Sequence, residues 1–87
     1  ALCAEVETLA GRLDIDPAGF WQMMETTLAD VAQHGSAAAL TGPVARGDWA
    51  TVRAHLNTLD DDQREPYIAL ARVAARVARR ELPSDLT

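Results

Sequence analysis

The chain has 87 residues, a net charge of −5 at pH 7 and 48% hydrophobic residues. Its length fits one small domain, and its acidic balance excludes a general electrostatic attraction to nucleic acid or to an anionic membrane. No apolar run approaches the roughly 20 residues that a membrane span needs, and the single cysteine, Cys3, excludes an internal disulfide. We therefore expect a cytoplasmic protein without nucleic-acid or membrane partners.

The first half of the chain predicts two helices. Leu2, Val6, Leu9 and Leu13 recur on one helical face. The segment 14–16 interrupts this pattern, and Asp16 followed by Pro17 is typical of a helix start. A second apolar face follows, with Phe20, Trp21, Met23, Met24, Leu28 and Val31 as its members. We expect these aromatic and methionine side chains to lie in the core or in an interface.

The second helix should end at Gly35, and Ser36 can cap one further helical turn over 37–40. A third helix is predicted after Asp48, and a fourth is predicted to begin at Pro66. Pro83 should end the fourth helix, and residues 84–87 should fray. Seventeen alanines favour helix but add little buried area, which indicates a helical unit that gains stability from a partner surface.

The central stretch 41–48 is the only long break in this helical pattern. Gly42 and Gly47 permit positive φ, Pro43 ends the preceding turn, and Asp48 is a good cap for the third helix. Arg46 lies between the two glycines, where its guanidinium could bind an anionic or carbonyl oxygen. The alternative is a tight interhelical connection with an exposed arginine.

The other polar residues favour structural interpretations. Asp60–Asp62 lacks the spaced ligands of a calcium loop and fits a solvated turn. His34 and His55 are not in metal spacing, and His55 fits a hydrogen-bonded residue at the edge of an apolar face. Cys3 fits a small packing residue. The arginines along 72–80 fit a solvated helix face rather than a nucleic-acid contact.

One run of residues carries a family resemblance. It comprises Ala38-Ala39-Leu40-Thr41-Gly42-Pro43-Val44-Ala45-Arg46-Gly47-Asp48, followed by Thr51-Val52, His55-Leu56 and Leu59. This run resembles the C-terminal helical domain of a bacterial family of unknown function, in which the domain follows an N-terminal Rossmann-like domain. That family is similar in architecture to pyrroline-5-carboxylate reductases, ketopantoate reductases and deazaflavin-dependent NADP reductases.

The resemblance implies a helical bundle like the C-terminal domain of 6-phosphogluconate dehydrogenase, and it implies a homodimer. It also implies that the central stretch faces the nicotinamide half of NAD(P). The substrate-side positions that it carries over are Thr41, Gly42, Pro43, Arg46, Gly47, Asp48 and His55.

We therefore predict an all-α domain over 1–87, with four main helices and a short helical turn. The chain starts without methionine and has no Gly-x-Gly-x-x-Gly pattern. We accordingly expect the C-terminal part of a longer protein, without a cofactor of its own and inactive without its Rossmann-like domain. The function that follows is the dimerisation and substrate-side domain of an NAD(P)-dependent oxidoreductase. The alternative is a stand-alone helical interaction module.

Overall fold

The computed structural model describes every residue from 1 to 87. It is all-α, which confirms the predicted fold class, and four of its six α-helices have ten residues or more. The chain divides into two compact units, Ala1–Gly35 and Ser36–Thr87. The elements are α1 (Leu2–Arg12), α2 (Ala18–His34), α3 (Ser36–Ala39), α4 (Pro43–Arg46), α5 (Trp49–Thr58), α6 (Asp61–Val77) and a 3₁₀ turn (Ser84–Leu86).

The first unit contains α1 and α2, and its turns follow the predicted local signals. Asp14 has a positive φ of 53°, and Ile15 N donates to Ala10 O at 3.0 Å, which closes the end of α1. The Asp16 carboxylate accepts from Ala18 N at 2.9 Å, so it caps α2 as its position predicted. Gly35 follows the last residue of α2 with a φ of 84°.

The predicted apolar faces exist in the first unit, but most of their side chains are exposed. Leu13 is 66% exposed, Met23 58% and Leu28 69%, and Ala10 is the one buried side chain of this unit. Trp21 is half-buried. Cys3 is exposed, so its interpretation as a packing residue is wrong. Two helices present too few facing side chains to cover a whole apolar stripe.

The second unit holds the hydrophobic core. Val52 from α5 is only 1% exposed and packs with Val44, Ala71, Ala75 and Leu86. The partly buried side chains around this core belong to Trp49, Leu56, Tyr67, Ala74 and Leu82. Two of the five buried residues are alanines on α6, which lets that helix approach α4 closely.

Helix α6 begins at Asp61, five residues before the predicted start at Pro66. The reason is a capping box: the Asp60 side chain accepts from the backbone of Gln63, and the Gln63 side chain accepts from Asp60 N. Pro66 therefore lies inside the helix, on an exposed face. The acids of 60–62 start the helix, where negative charge is favourable, instead of forming a loop.

The C-terminal tail, residues 79–87, also departs from the sequence prediction. Helix α6 ends at Val77, and Arg79 adopts a positive φ of 56°, so the two arginines at 79 and 80 follow the helix rather than form its last turn. Residues 84–86 form a 3₁₀ turn that inserts Leu86, 5% exposed, into the core. The expected fraying is wrong because this apolar side chain is buried.

Candidate functional site

The central stretch is not an extended loop, because its middle forms the helical turn α4. Gly42 precedes this turn with a φ of 103° and a ψ of 177°. Pro43 takes the first helical position, where its fixed φ is favourable and its missing N–H is not needed. Gly47 closes the turn with a φ of 70°. Pro43 therefore begins a helix, whereas the sequence interpretation had it only ending one.

Asp48 caps α5 as predicted. Its carboxylate accepts from Thr51 N at 3.3 Å and from Thr51 Oγ1 at 2.7 Å. The hydrogen bonds from Thr51, together with the nearby Arg46 guanidinium, lower the pKa of the Asp48 carboxyl. The carboxylate is thereby fixed at the start of the helix, directly after the turn that carries Arg46.

Arg46 itself is held loosely. Its side chain is 62% exposed, and its Nη2 lies 3.6 Å from Asp48 Oδ2. Exposed pairs of this length contribute little stability. The guanidinium is thus accessible to a ligand. The same geometry also fits the alternative interpretation, an exposed arginine in a tight interhelical connection.

His55 forms a polar pair with Tyr67 across α5 and α6. Nδ1 of His55 lies 2.8 Å from the Tyr67 hydroxyl, and the two rings pack edge to face with their centroids 5.9 Å apart. The hydrogen-bonded histidine predicted from the sequence is present. Partial burial raises the pKa of the Tyr67 phenol, so this group is neutral at physiological pH.

An apolar groove adjoins this polar pair, with a volume of about 310 Å³. Of the predicted site residues, Pro43 and His55 both line it, while Arg46 and Asp48 meet in the separate ion pair. Thr41 is exposed, and the two glycines of the stretch shape its backbone. The full lining of the groove is Pro43, Val44, His55, Tyr67, Leu70, Ala71 and Ala74.

Two contacts of the central stretch have no local sequence signal. Arg80 Nε donates to Ala45 O at 2.7 Å, across 35 residues of sequence. The same guanidinium lies beside Gly47, where a Cβ would come within 2.9 Å of Arg80 Nη1. The predicted solvated face of α6 thus ends in an arginine that holds the α4 turn. Only the reversal of the chain at Arg79 brings it there.

Two further arginines of the second unit, Arg53 and Arg64, are held by hydrogen bonds or ion pairs. Arg53 donates to both carboxylate oxygens of Asp85, at 2.9 and 3.1 Å, and this bonding lowers the pKa of the Asp85 carboxyl. Arg64 Nε donates to Leu56 O at 3.0 Å. No three His, Cys, Asp or Glu residues converge as metal ligands, and no helix has both the length and the apolarity to cross a bilayer.

Comparison with known protein families identifies the family of this all-α chain. Residues 1–74 match the domain of unknown function DUF2520, and the chain belongs to that family. No curated protein and no solved structure matches the chain. The matched range contains the turn α4, the Asp48 cap and His55.

Substitution of Asp48 tests the cap. We expect Asp48→Ala to lower the urea midpoint of the second unit, because the Thr51 N–H loses its acceptor, and we expect Asp48→Asn to retain most of the stability. Since the pKa of Asp48 is lowered on folding, its charged form contributes stability above its ordinary pKa. That contribution is lost as the pH falls through the folded value.

Urea titrations at neutral and acidic pH measure both effects. The Asn variant should show a smaller acid-induced loss than the natural chain, because it has no carboxylate to protonate at this position. An unchanged midpoint for Asp48→Ala at neutral pH would contradict the capping role.

Proposed function

We propose that this chain is the dimerisation and substrate-side helical domain of an NAD(P)-dependent oxidoreductase. Membership of the family fixes no activity, so the proposal rests on two features of the chain. One is the amount of apolar surface that the fold leaves exposed. The other is the glycine-flanked turn with its accessible Arg46, which resembles the cleft-facing segment of Rossmann-associated helical domains.

The exposed apolar side chains carry the dimerisation part. Only six side chains of the hydrophobic class are buried, and three of these are alanines. By contrast, Leu70, Val73 and Val77 share one face of α6 and are 62, 44 and 36% exposed. The remaining large apolar side chains that are more than a third exposed are Leu2, Leu9, Leu13, Ile15, Met23 and Leu28. Apolar surface arranged in such stripes marks an interface, and a second copy would cover it around a two-fold axis.

Sedimentation equilibrium at micromolar concentration tests this part. We expect a homodimer, and we expect Leu28→Glu or Val73→Glu to shift it toward monomer, because either change buries an unpaired carboxylate in the interface. Gln33→Glu, at an exposed polar position of α2, is the matched control and should leave the dimer intact. A monomer that unfolds cooperatively would contradict the proposal, and so would a dimer that is indifferent to both apolar-to-Glu changes.

Arg46 carries the substrate-side part. Its side chain is largely exposed and makes only the long contact to Asp48, so we expect Arg46→Ala to change the free energy of unfolding by no more than about 0.5 kcal/mol. In a longer protein that joins this domain to a dinucleotide-binding domain, we expect the same change to weaken binding of an anionic ligand. The expected loss is roughly 1.5–3 kcal/mol, the value of a hydrogen bond to a charged group.

Thermal unfolding of the domain and calorimetric titration of the longer protein are the two measurements. Arg46→Lys is the matched variant, since it keeps the charge but loses the planar fork of donors. If Arg46→Ala unfolds the domain and leaves ligand binding unchanged, Arg46 is a structural residue and this part of the proposal fails.

The dinucleotide itself would be held by residues outside this chain. Its pyrophosphate needs a strand, a glycine-rich turn and a helix N-terminus in succession, and this all-α chain supplies no such unit. What its residues could contribute is one face of the substrate cleft. The alternative, a helical interaction module, would be favoured by a dimer whose longer form binds no dinucleotide.

A further inference from the structure

We propose that the groove between α4, α5 and α6 binds a neutral small molecule with an apolar body and one carbonyl oxygen. The inference goes beyond the role proposed above, because it assigns to this groove a ligand separate from the anionic one expected at Arg46. The groove volume of about 310 Å³ lies at the lower end of the range for small-molecule sites, and such sites combine apolar walls with a few placed polar groups.

The groove exists because two alanines, three residues apart, occupy neighbouring positions on one face of α6. Ala71 and Ala74 form its floor, while the longer side chains of Tyr67 and Leu70 rise beside them one turn earlier. Pro43 and Val44 from α4 form the opposite wall. Three elements therefore border this open groove, and the turn between Gly42 and Gly47 fixes one of them.

The charge of the lining selects a neutral ligand. Apart from His55, no side chain that lines this groove is ionisable near neutral pH. The two other grooves of the second unit differ, because arginines and acids line them and several are already engaged. Arg53 is bonded to Asp85, and Arg64 to Leu56 O and, at 3.6 Å, to Asp61. A charged ligand at Arg53 or Arg64 would compete with those contacts, whereas a neutral one in the apolar groove breaks none.

The His55–Tyr67 pair supplies the directional contact. With its proton on Nδ1, His55 donates to the Tyr67 oxygen at 2.8 Å, which leaves the Tyr67 hydroxyl proton free to donate to a ligand carbonyl. A donor that itself accepts a hydrogen bond is strengthened by it. The edge-to-face packing of the two rings holds the hydroxyl in position. In that tautomer of His55, the groove offers one donor beside an apolar surface.

Two matched probes test the ligand class on the 87-residue chain. 4-Fluoroacetophenone has an aromatic body and one carbonyl, and 1-ethyl-4-fluorobenzene has the same body without the oxygen. In ¹H–¹⁵N spectra we expect both to shift the amide signals of Val44, Tyr67, Leu70 and Ala74. The ketone should bind about three- to tenfold more tightly, which is the net value of one hydrogen bond.

Variants separate the groove from nonspecific binding. Ala74→Leu fills the floor and should abolish binding of both probes, while Ala69→Leu, the same change at an exposed position of α6 outside the groove, should leave binding unchanged. Tyr67→Phe should lower the affinity for the ketone to that for the hydrocarbon, and it should leave the affinity for the hydrocarbon unchanged. If Ala74→Leu does not fold, the Tyr67→Phe comparison decides.

Three results would overturn the proposal: equal affinity of the two probes, undiminished binding to Ala74→Leu, or shifts outside the groove. Leu70 also lies on the proposed dimer face, so the concentration control uses Val44 and Tyr67. If the signals of Val44 and Tyr67 move with protein concentration alone, a second copy fills the groove, which also overturns the proposal. These failures are distinct from that of the proposed dimer. If the chain is a dimer that binds neither probe, the dimerisation proposal stands and the groove proposal fails. If the chain is a monomer that binds the ketone, the groove proposal stands and the dimerisation proposal fails.

Discussion

Replacing Leu86 with alanine is expected to lower the free energy of unfolding of the second unit by about 2–5 kcal/mol, the usual cost of truncating a buried leucine. Leu86 is 5% exposed and belongs to the five-residue core with Val44, Val52, Ala71 and Ala75. Two of its four core neighbours are alanines, so little remains to fill the cavity. A single residue next to the last position therefore carries a large share of the apolar burial.

Urea unfolding at fixed protein concentration, followed by Trp49 fluorescence, measures this effect. Trp49 packs against the same core, and Trp21→Phe removes the other tryptophan signal, which comes from the first unit. Leu86→Met is the matched control and should cost less than about 1.5 kcal/mol, because it nearly conserves volume. An Ala variant with the natural midpoint would show that the C-terminal tail does not stabilise this core.

The second large effect is expected at Gly42. Its φ of 103° with a ψ of 177° lies in a region that essentially only glycine adopts. We therefore expect Gly42→Ala to destabilise the second unit by about 1–3 kcal/mol. The cause is backbone strain alone, because a Cβ at Gly42 would meet no atom within 4 Å.

Gly19→Ala is the matched control for this change. A Cβ at Gly19 also meets nothing within 4 Å, but Gly19 lies in helix α2. The control should be neutral or should stabilise by up to about 1 kcal/mol, because alanine favours helix. Each variant is read by the tryptophan of its own unit. Equal effects of the two substitutions would mean that the turn α4 can relax to a conformation open to any residue.

The groove depends on the turn α4, because Pro43 and Val44 of that turn line it. Strain at Gly42 would displace Pro43 and Val44, which line the groove and contribute to the core. A Gly42 variant that remains folded should therefore also bind the ketone probe less tightly. The Asp48 cap lies on the far side of Gly47, so Asp48→Asn should leave that binding unchanged.

The sequence by itself determined the helices and most of their ends. Periodic apolar residues, together with Asp16, Gly35 and Asp48, predicted the fold class because caps and helical faces depend on neighbours within one or two turns. The helix boundaries predicted from the sequence were less reliable where two local signals competed. At the start of α6 the capping box of Asp60 and Gln63 prevailed over the proline, so Pro66 lies inside the helix, where it cannot donate a backbone hydrogen bond.

The candidate site was predictable only in part. Glycines flanking Arg46 indicated the segment that forms the turn α4, and the resemblance added His55. The helical conformation of Pro43–Arg46 was missed, since a single turn has no periodicity to detect. The contact of His55 with Tyr67 was not predicted, because it joins residues 12 positions apart on two different helices.

Tertiary structure alone decided how the C-terminal tail is used. Asp85 on Arg53 and Arg80 on Ala45 O are contacts across 32 and 35 residues of sequence. Leu86 likewise joins a core that includes the distant Val44 and Val52. Nothing local distinguishes such a tail from a frayed one, because its stability comes from surfaces supplied by α4 and α5. The sequence determined which segments are helical from short-range hydrogen bonding and capping. Tertiary packing alone decided which apolar helix faces are buried. Burial depends on whether segments that are far apart in sequence have complementary shapes and come close together in space.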